Sequence, residues 1–110
     1  MDLFEDLNIK IKELNTSIKS LRKTGTEYAE AERAYKMSLR EHALRLRTEK
    51  DMPVTLIQQV VYGVPEVAEK RFVRDVAEAV YHANQEAINS IKLQIRIIEG
   101  QLNREWNNTK

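Results

Sequence analysis

The sequence predicts an all-α fold: an elongated, coiled-coil-like antiparallel helical hairpin with a short connector helix, assembling into a helical bundle. Three observations carry that expectation. Apolar residues recur at three- and four-residue steps through Phe4, Leu7, Ile11, Leu14, Ile18, Leu21, Tyr28, Tyr35, Leu39 and Leu46. A second ladder runs through Val73, Ala77, Val80, Ile88, Ile91, Ile95, Ile98, Leu102 and Trp106. Such steps keep residues on one face of an α-helix. Finally, 32% of the residues are charged, and only three glycines and two prolines interrupt them, a composition suited to long, solvated helices.

The 110 residues read as a single helical-hairpin domain over 1–110. The expected elements are a first helix over about 3–50, a connector helix over about 56–62 and a third helix over about 65–106. A continuous first helix is roughly 70 Å long, whereas a compact globule of this size is about 30–35 Å across, so an elongated molecule is expected. A lone hairpin has a thin core, and association of hairpins is the natural remedy.

Helix one starts at Asp2, whose carboxylate can cap the first amides. It ends by Asp51-Met52-Pro53, because proline disfavours helical conformation at the residue before it. Asp6 with Lys10, Glu32 with Lys36 and Glu41 with Arg45 add spaced pairs, each contributing roughly 0.2–0.5 kcal/mol. Gly25 is the weak point, and Thr24 with Glu27 could open a new helix there. The rhythm Leu21, Gly25, Tyr28 does not slip, which favours a continuous, bent helix over a break.

Thr55-Leu56-Ile57-Gln58 has the form of a capping box, and Gly63 fits the left-handed position that ends a helix. The connector helix is expected to bury Leu56, Ile57, Val60 and Val61 over the end of the hairpin. Pro65 suits the first turn of the last helix, with Glu66 and Glu69 complementing its positive end. The tail Asn107-Asn108-Thr109-Lys110 is expected to fray.

Antiparallel helices joined at residues 50–66 should pair positions whose numbers sum to about 116. Leu14 then faces Leu102, Ile18 faces Ile98, Leu21 faces Ile95, Tyr28 faces Ile88, Tyr35 faces Tyr81 and Leu39 faces Ala77. Glu32 meets Asn84 where both ladders are interrupted. A buried polar layer of Glu32, Asn84, Tyr35 and Tyr81 is expected, of the kind that fixes register and oligomeric state.

Catalytic chemistry finds no support. Glu78 and His82 are one turn apart and His42 interrupts the first ladder, but no His-Glu-x-x-His or Glu-x-x-His motif occurs, so no metal site is expected. His42 reads as a partly buried, hydrogen-bonded side chain near the connector. No phosphate loop, nucleophile elbow or triad is recognisable, and neither an enzyme nor a cofactor is expected. A formal net charge of +1, the absence of cysteine and the acidic start Met1-Asp2-Leu3-Phe4-Glu5-Asp6 favour a soluble cytoplasmic protein without a membrane span.

Binding features are more informative. Arg33, Lys36, Arg40, Arg47 and Lys50 share one side of helix one, and Lys70, Arg71 and Arg74 open the last helix near the same end. These eight residues are the candidate contact for nucleic acid or an acidic partner. Glu41, Glu49, Glu69 and Asp75 are interspersed, and no aromatic stacking surface is evident, so a solvated charged face competes with that reading. Met52, Val54, Tyr62 and Val64 form a candidate docking tip, against the alternative of a cap on the local core. A helix-turn-helix reading of the connector is disfavoured by the lack of a compact three-helix pattern.

The stretches Tyr28-Ala29-Glu30-Ala31-Glu32, Val67-Ala68-Glu69-Lys70-Arg71-Phe72, Glu86-Ala87-Ile88-Asn89 and Leu102-Asn103-Arg104-Glu105-Trp106 resemble a family of small coiled-coil proteins from phages and prophages of Gram-positive bacteria. The resemblance implies a non-enzymatic interaction protein of the host cytoplasm, accessory to DNA replication or recombination. The alternatives are an anti-CRISPR-like inhibitor of a host defence system and a structural assembly factor. The expected partners are a second copy, in a dimer, and another protein, with nucleic acid as a competing ligand.

Overall fold

The structure is a computed structural model that describes residues 2–108. It is all-α, with α1 over Leu3–Glu49, α2 over Val54–Val60, a 3-10 turn over Val61–Gly63 and α3 over Pro65–Asn108. No strand occurs among the described residues, and none of their helices is long and apolar enough to cross a membrane. The chain forms a helical hairpin divided into two compact units. One comprises the chain up to Thr24 and from Tyr81 onward, and the other comprises Gly25–Val80. In each unit a stretch of α1 lies antiparallel to a stretch of α3.

The ends of α1 follow from local chemistry. Asp2 caps it as expected, its Oδ1 accepting the Glu5 amide at 2.8 Å. At the other end Asp51 adopts φ 49°, a left-handed conformation that a short polar side chain tolerates. The turn is closed by the Met52 amide donating to the Leu46 carbonyl at 3.2 Å and by Arg47 donating to the Met52 carbonyl at 3.1 Å. The helix runs through Gly25 without interruption. At the far end α3 continues through Asn108, two residues into the tail expected to fray, while residues 109 and 110 lie outside the described part.

The connector departs from expectation in three respects. It starts at Val54, with Pro53 before it, and no side chain caps it; the Pro53 carbonyl accepts the Leu56 and Ile57 amides at 3.0 Å. Thr55 is therefore inside the helix. Gly63 has no positive φ, because the chain leaves α2 through the 3-10 turn and an extended Val64. Of the four residues expected to be buried, Ile57 and Val61 are, whereas Leu56 and Val60 are 43% and 39% exposed. The two-turn helix and the 3-10 turn after it offer one narrow face, on which Ile57 and Val61 lie four residues apart.

That face packs with Tyr35 and the fully buried Val67, and Leu39, Ala43, Leu46, Met52 and Val64 close around the cluster. The connector thus lies alongside the last turns of α1. As a result α3 begins beside His42, whose Nε2 is 2.9 Å from Glu66 Oε2, rather than level with the end of α1. The antiparallel register shifts accordingly, and paired positions sum to about 108. The difference of eight residues is about two turns, or roughly 12 Å, along one helix. Leu21 borders the same surface depression as Ile88, where Ile95 was expected.

The shift also corrects the expected core. In the unit that holds the chain termini, Ile88 is buried and Leu7, Leu14, Leu21, Ile91, Ile95, Ile98 and Leu102 are half-buried. Phe4, Ile11, Ile18 and Trp106 are exposed, as are Val73 and Val80 in the other unit. Two helices meeting along one seam cover only part of a stripe this wide. Ser38, between Tyr35 and His42, is buried with its hydroxyl unpartnered.

Replacing Ile57 with alanine is expected to lower unfolding free energy by about 2–5 kcal/mol, as for other large core truncations, in urea titrations followed by circular dichroism. Ser38→Ala is expected to be neutral or mildly stabilising, since it removes a buried polar atom that has no partner.

Candidate functional site

Eight basic residues were expected to form one contact surface, and the structure divides them into two groups. Arg74 is drawn inward: its guanidinium donates to Glu32 Oε2 at 2.9 Å and Asp75 Oδ1 at 2.7 Å, and its Cζ lies 4.7 Å from the centre of the Tyr35 ring. Lys36 reaches the other Glu32 oxygen at 3.4 Å. Arg71 sits 5.7 Å from the centre of the Tyr62 ring, and Arg47 closes the end of α1. Arg33, Arg40, Lys50 and Lys70 are exposed, and no ion pair engages them among the described residues. Of the eight, these four are the ones held by no ion pair, aromatic ring or backbone carbonyl among the described residues.

The inward group is a polar cluster within the Gly25–Val80 unit. The hydrogen bond from Arg74, ahead of a smaller opposing effect of lost hydration, holds the Glu32 carboxyl below the ordinary glutamate range. Its two carboxylate neighbours hold Arg74 firmly in the charged form. Tyr28 hydrogen-bonds Glu78, and loss of water together with the charges of Glu78 and Glu32 raises its phenol above the usual value. Cationic guanidinium over an aromatic face adds about 0.5–2 kcal/mol in comparable settings. Arg74 and Lys36 thus meet the carboxylates of Glu32 and Asp75, an arrangement that pins α3 to α1.

The expected layer of Glu32, Asn84, Tyr35 and Tyr81 resolves into separate contacts. Glu32 and Tyr35 share Arg74. Asn84 instead accepts a hydrogen bond from the Thr24 hydroxyl at 2.9 Å and donates to the Ser17 carbonyl at 3.1 Å. Tyr81 is half-buried, with its ring 5.8 Å from that of His82. Polar register contacts exist in both units, but with partners set by the shifted pairing.

His42 is buried and bonded to Glu66, as its position suggested. His82 hydrogen-bonds Gln85 at 3.1 Å, and no group of three potential metal ligands gathers among the described residues. At the tip, Met52 and Val64 join the local core while Val54 and Tyr62 are 58% and 46% exposed.

The feature that sequence reasoning missed is an exposed apolar row on α3: Phe72, Val76 and Val80, with Val73 beside it. Its signal was present in the i, i+4, i+8 spacing, but Val73 and Val80 had been assigned to the seam with α1. A second apolar hollow of about 460 Å³ is bordered by Phe4, Leu102 and Trp106 and by the acids Glu99 and Glu105. The chain matches no family model, no curated protein and no solved structure.

The Glu32 contact predicts a pH dependence. Folding favours its ionised form, so its contribution is complete above the ordinary glutamate value of about 4.3 and disappears as pH falls through the lower folded-state value. Glu32→Gln is expected to lower the melting temperature at pH 7, with the gap to the parent protein closing as pH is lowered toward 3. A gap independent of pH would contradict the assignment.

Proposed function

We propose that this chain is a non-enzymatic helical interaction protein that works as a homo-oligomer, with a dimer as the basic unit, and engages a further protein. The observation that carries this reading is its surface. The chain exposes 8270 Å², roughly a third more than the ~6,300 Å² expected of a globular monomer of its mass. Phe4, Phe72, Met37 and Trp106 are each more than 60% exposed, while the buried apolar residues among those described are Tyr35, Ile57, Val61, Val67 and Ile88. So thin a core gives little margin over the entropy of ordering the chain. Association supplies the missing apolar contact.

The resemblance to phage coiled-coil proteins supports a setting in phage DNA replication or recombination, in the cytoplasm of a bacterial host. Within that setting the exposed Val54 and Tyr62 at the connector suit a protein partner. A second reading, direct nucleic-acid contact, is favoured by the four uncommitted cations Arg33, Arg40, Lys50 and Lys70.

Light scattering at micromolar concentration is expected to give a mass near twice 12.9 kDa, falling on dilution; a monomer at every concentration would remove the oligomeric reading. Titration of labelled single- and double-stranded DNA at low salt tests the second reading. Saturable binding that weakens on paired Arg33→Ser and Arg40→Ser substitution supports it, and no binding at low salt rules it out.

A further inference from the structure

We propose that the exposed row Phe72, Val76 and Val80 on α3 is the seam along which a second copy of this chain packs, with the two-fold axis passing beside Val76. This proposal rests on the oligomeric reading above and assigns it a surface. The three residues are 64%, 47% and 47% exposed, and Val73 beside them is 45% exposed. At 100° per residue, Val76 lies on the side of α3 opposite the fully buried Val67. The row therefore faces away from the seam that α3 makes with α1, and no other element of the Gly25–Val80 unit needs to move to admit a partner.

Area and chemistry both favour a second copy. Phe72, Val73, Val76 and Val80 expose on the order of 300–400 Å², within the range of the largest apolar patch on a typical soluble monomer, which is often a functional one. A dimer of ordinary size buries about 800 Å² per subunit, somewhat over half of it apolar. The row with the exposed Ala79 beside it supplies most of that apolar share. No charged side chain interrupts the face between Phe72 and Val80: Arg74 turns inward to Glu32, Asp75 lies on the flank and pairs with Arg74, and Glu78 is half-buried. A partner can thus cover the row without stranding a charge.

The geometry is self-complementary. Residues at i, i+4 and i+8 form one ridge, and ridges of this kind pack into the matching grooves of an identical helix. Val76 is equidistant from the ends of the ridge, and Ala79 leaves a shallow groove on one side for the partner's ridge. A closed isologous contact must bring the residue at the axis against its own copy. The need for cover is also constant, since it exists whenever the chain is folded, and a second copy is the partner always present.

The chain has no cysteine, so single substitutions report directly. Val76→Cys, oxidised with diamide, is expected to give a disulfide-linked dimer as the main product. Leu44→Cys, on an exposed site of α1, is expected to give at least tenfold less. Val76→Asp is expected to retain parental helicity by circular dichroism and to weaken dimerisation at least tenfold in dilution light scattering. If the parent protein is dimeric but Val76→Cys links no better than Leu44→Cys and Val76→Asp dimerises normally, this seam is wrong and the oligomeric reading stands. If the parent protein is monomeric, both fall. A different protein covering the row would appear as a monomeric parent that acquires the Val76→Cys cross-link only when that protein is added, and this too would overturn the proposal.

Discussion

The contact on which the remaining structure depends is the packing of Ile57 and Val61 against α1 around Val67. It is a small cluster, but it decides where α3 begins. A two-turn helix with one apolar face must lay that face somewhere, and Leu39, Ala43 and Leu46 on the last turns of α1 are the nearest apolar surface. Once it lies there, α3 starts beside His42. Within that unit the partner of Glu32 then follows from the helix rise alone.

The polar contacts are consequences of that register and also guard it. Arg74 is the clearest case. It bonds Glu32 and stacks on Tyr35 across the seam, so sliding α3 by a turn would take a partly desolvated cation away from both and leave it only Asp75 on its own helix. Breaking such an arrangement costs more than the arrangement itself contributes. Asn84, bonded to Thr24 and Ser17, acts in the same way in the other unit. Each unit therefore carries its own polar check on register, in addition to its apolar seam.

The helices were legible in the sequence because their causes are local. Asp2 caps α1, Pro53 and Pro65 punctuate the chain, and the three-four rhythm runs through both long segments. The register was not, and the reason lies in the repeat. A ladder of alternating three- and four-residue steps nearly superposes on itself after seven residues, so Leu21 fits Ile88 about as well as Ile95. The interruptions at Glu32 and Asn84 looked like a way to break that degeneracy. They failed as a guide because an interruption can be filled from outside the ladder, as Arg74 does for Glu32. The basic group divided for a related reason: spacing shows that Arg71 and Arg74 share an end with Arg33 and Arg40, but the aromatic rings that recruit two of them become neighbours only after folding. The outer row of α3 was hidden in plain composition, because a helix with two apolar faces reads as one broad stripe.

The thin core is also the ground for the proposed association. Only the unit containing the connector has a third element to enclose side chains; elsewhere two helices share a single seam. The register of the Gly25–Val80 unit therefore rests on the connector cluster. The most direct measurement is the pattern of nuclear Overhauser effects from the Tyr35 ring. The fold described here predicts cross-peaks to the methyl groups of Ile57, Val61 and Val67. Cross-peaks from Tyr35 to the Tyr81 ring, with none to those methyls, would restore the longer register and contradict it.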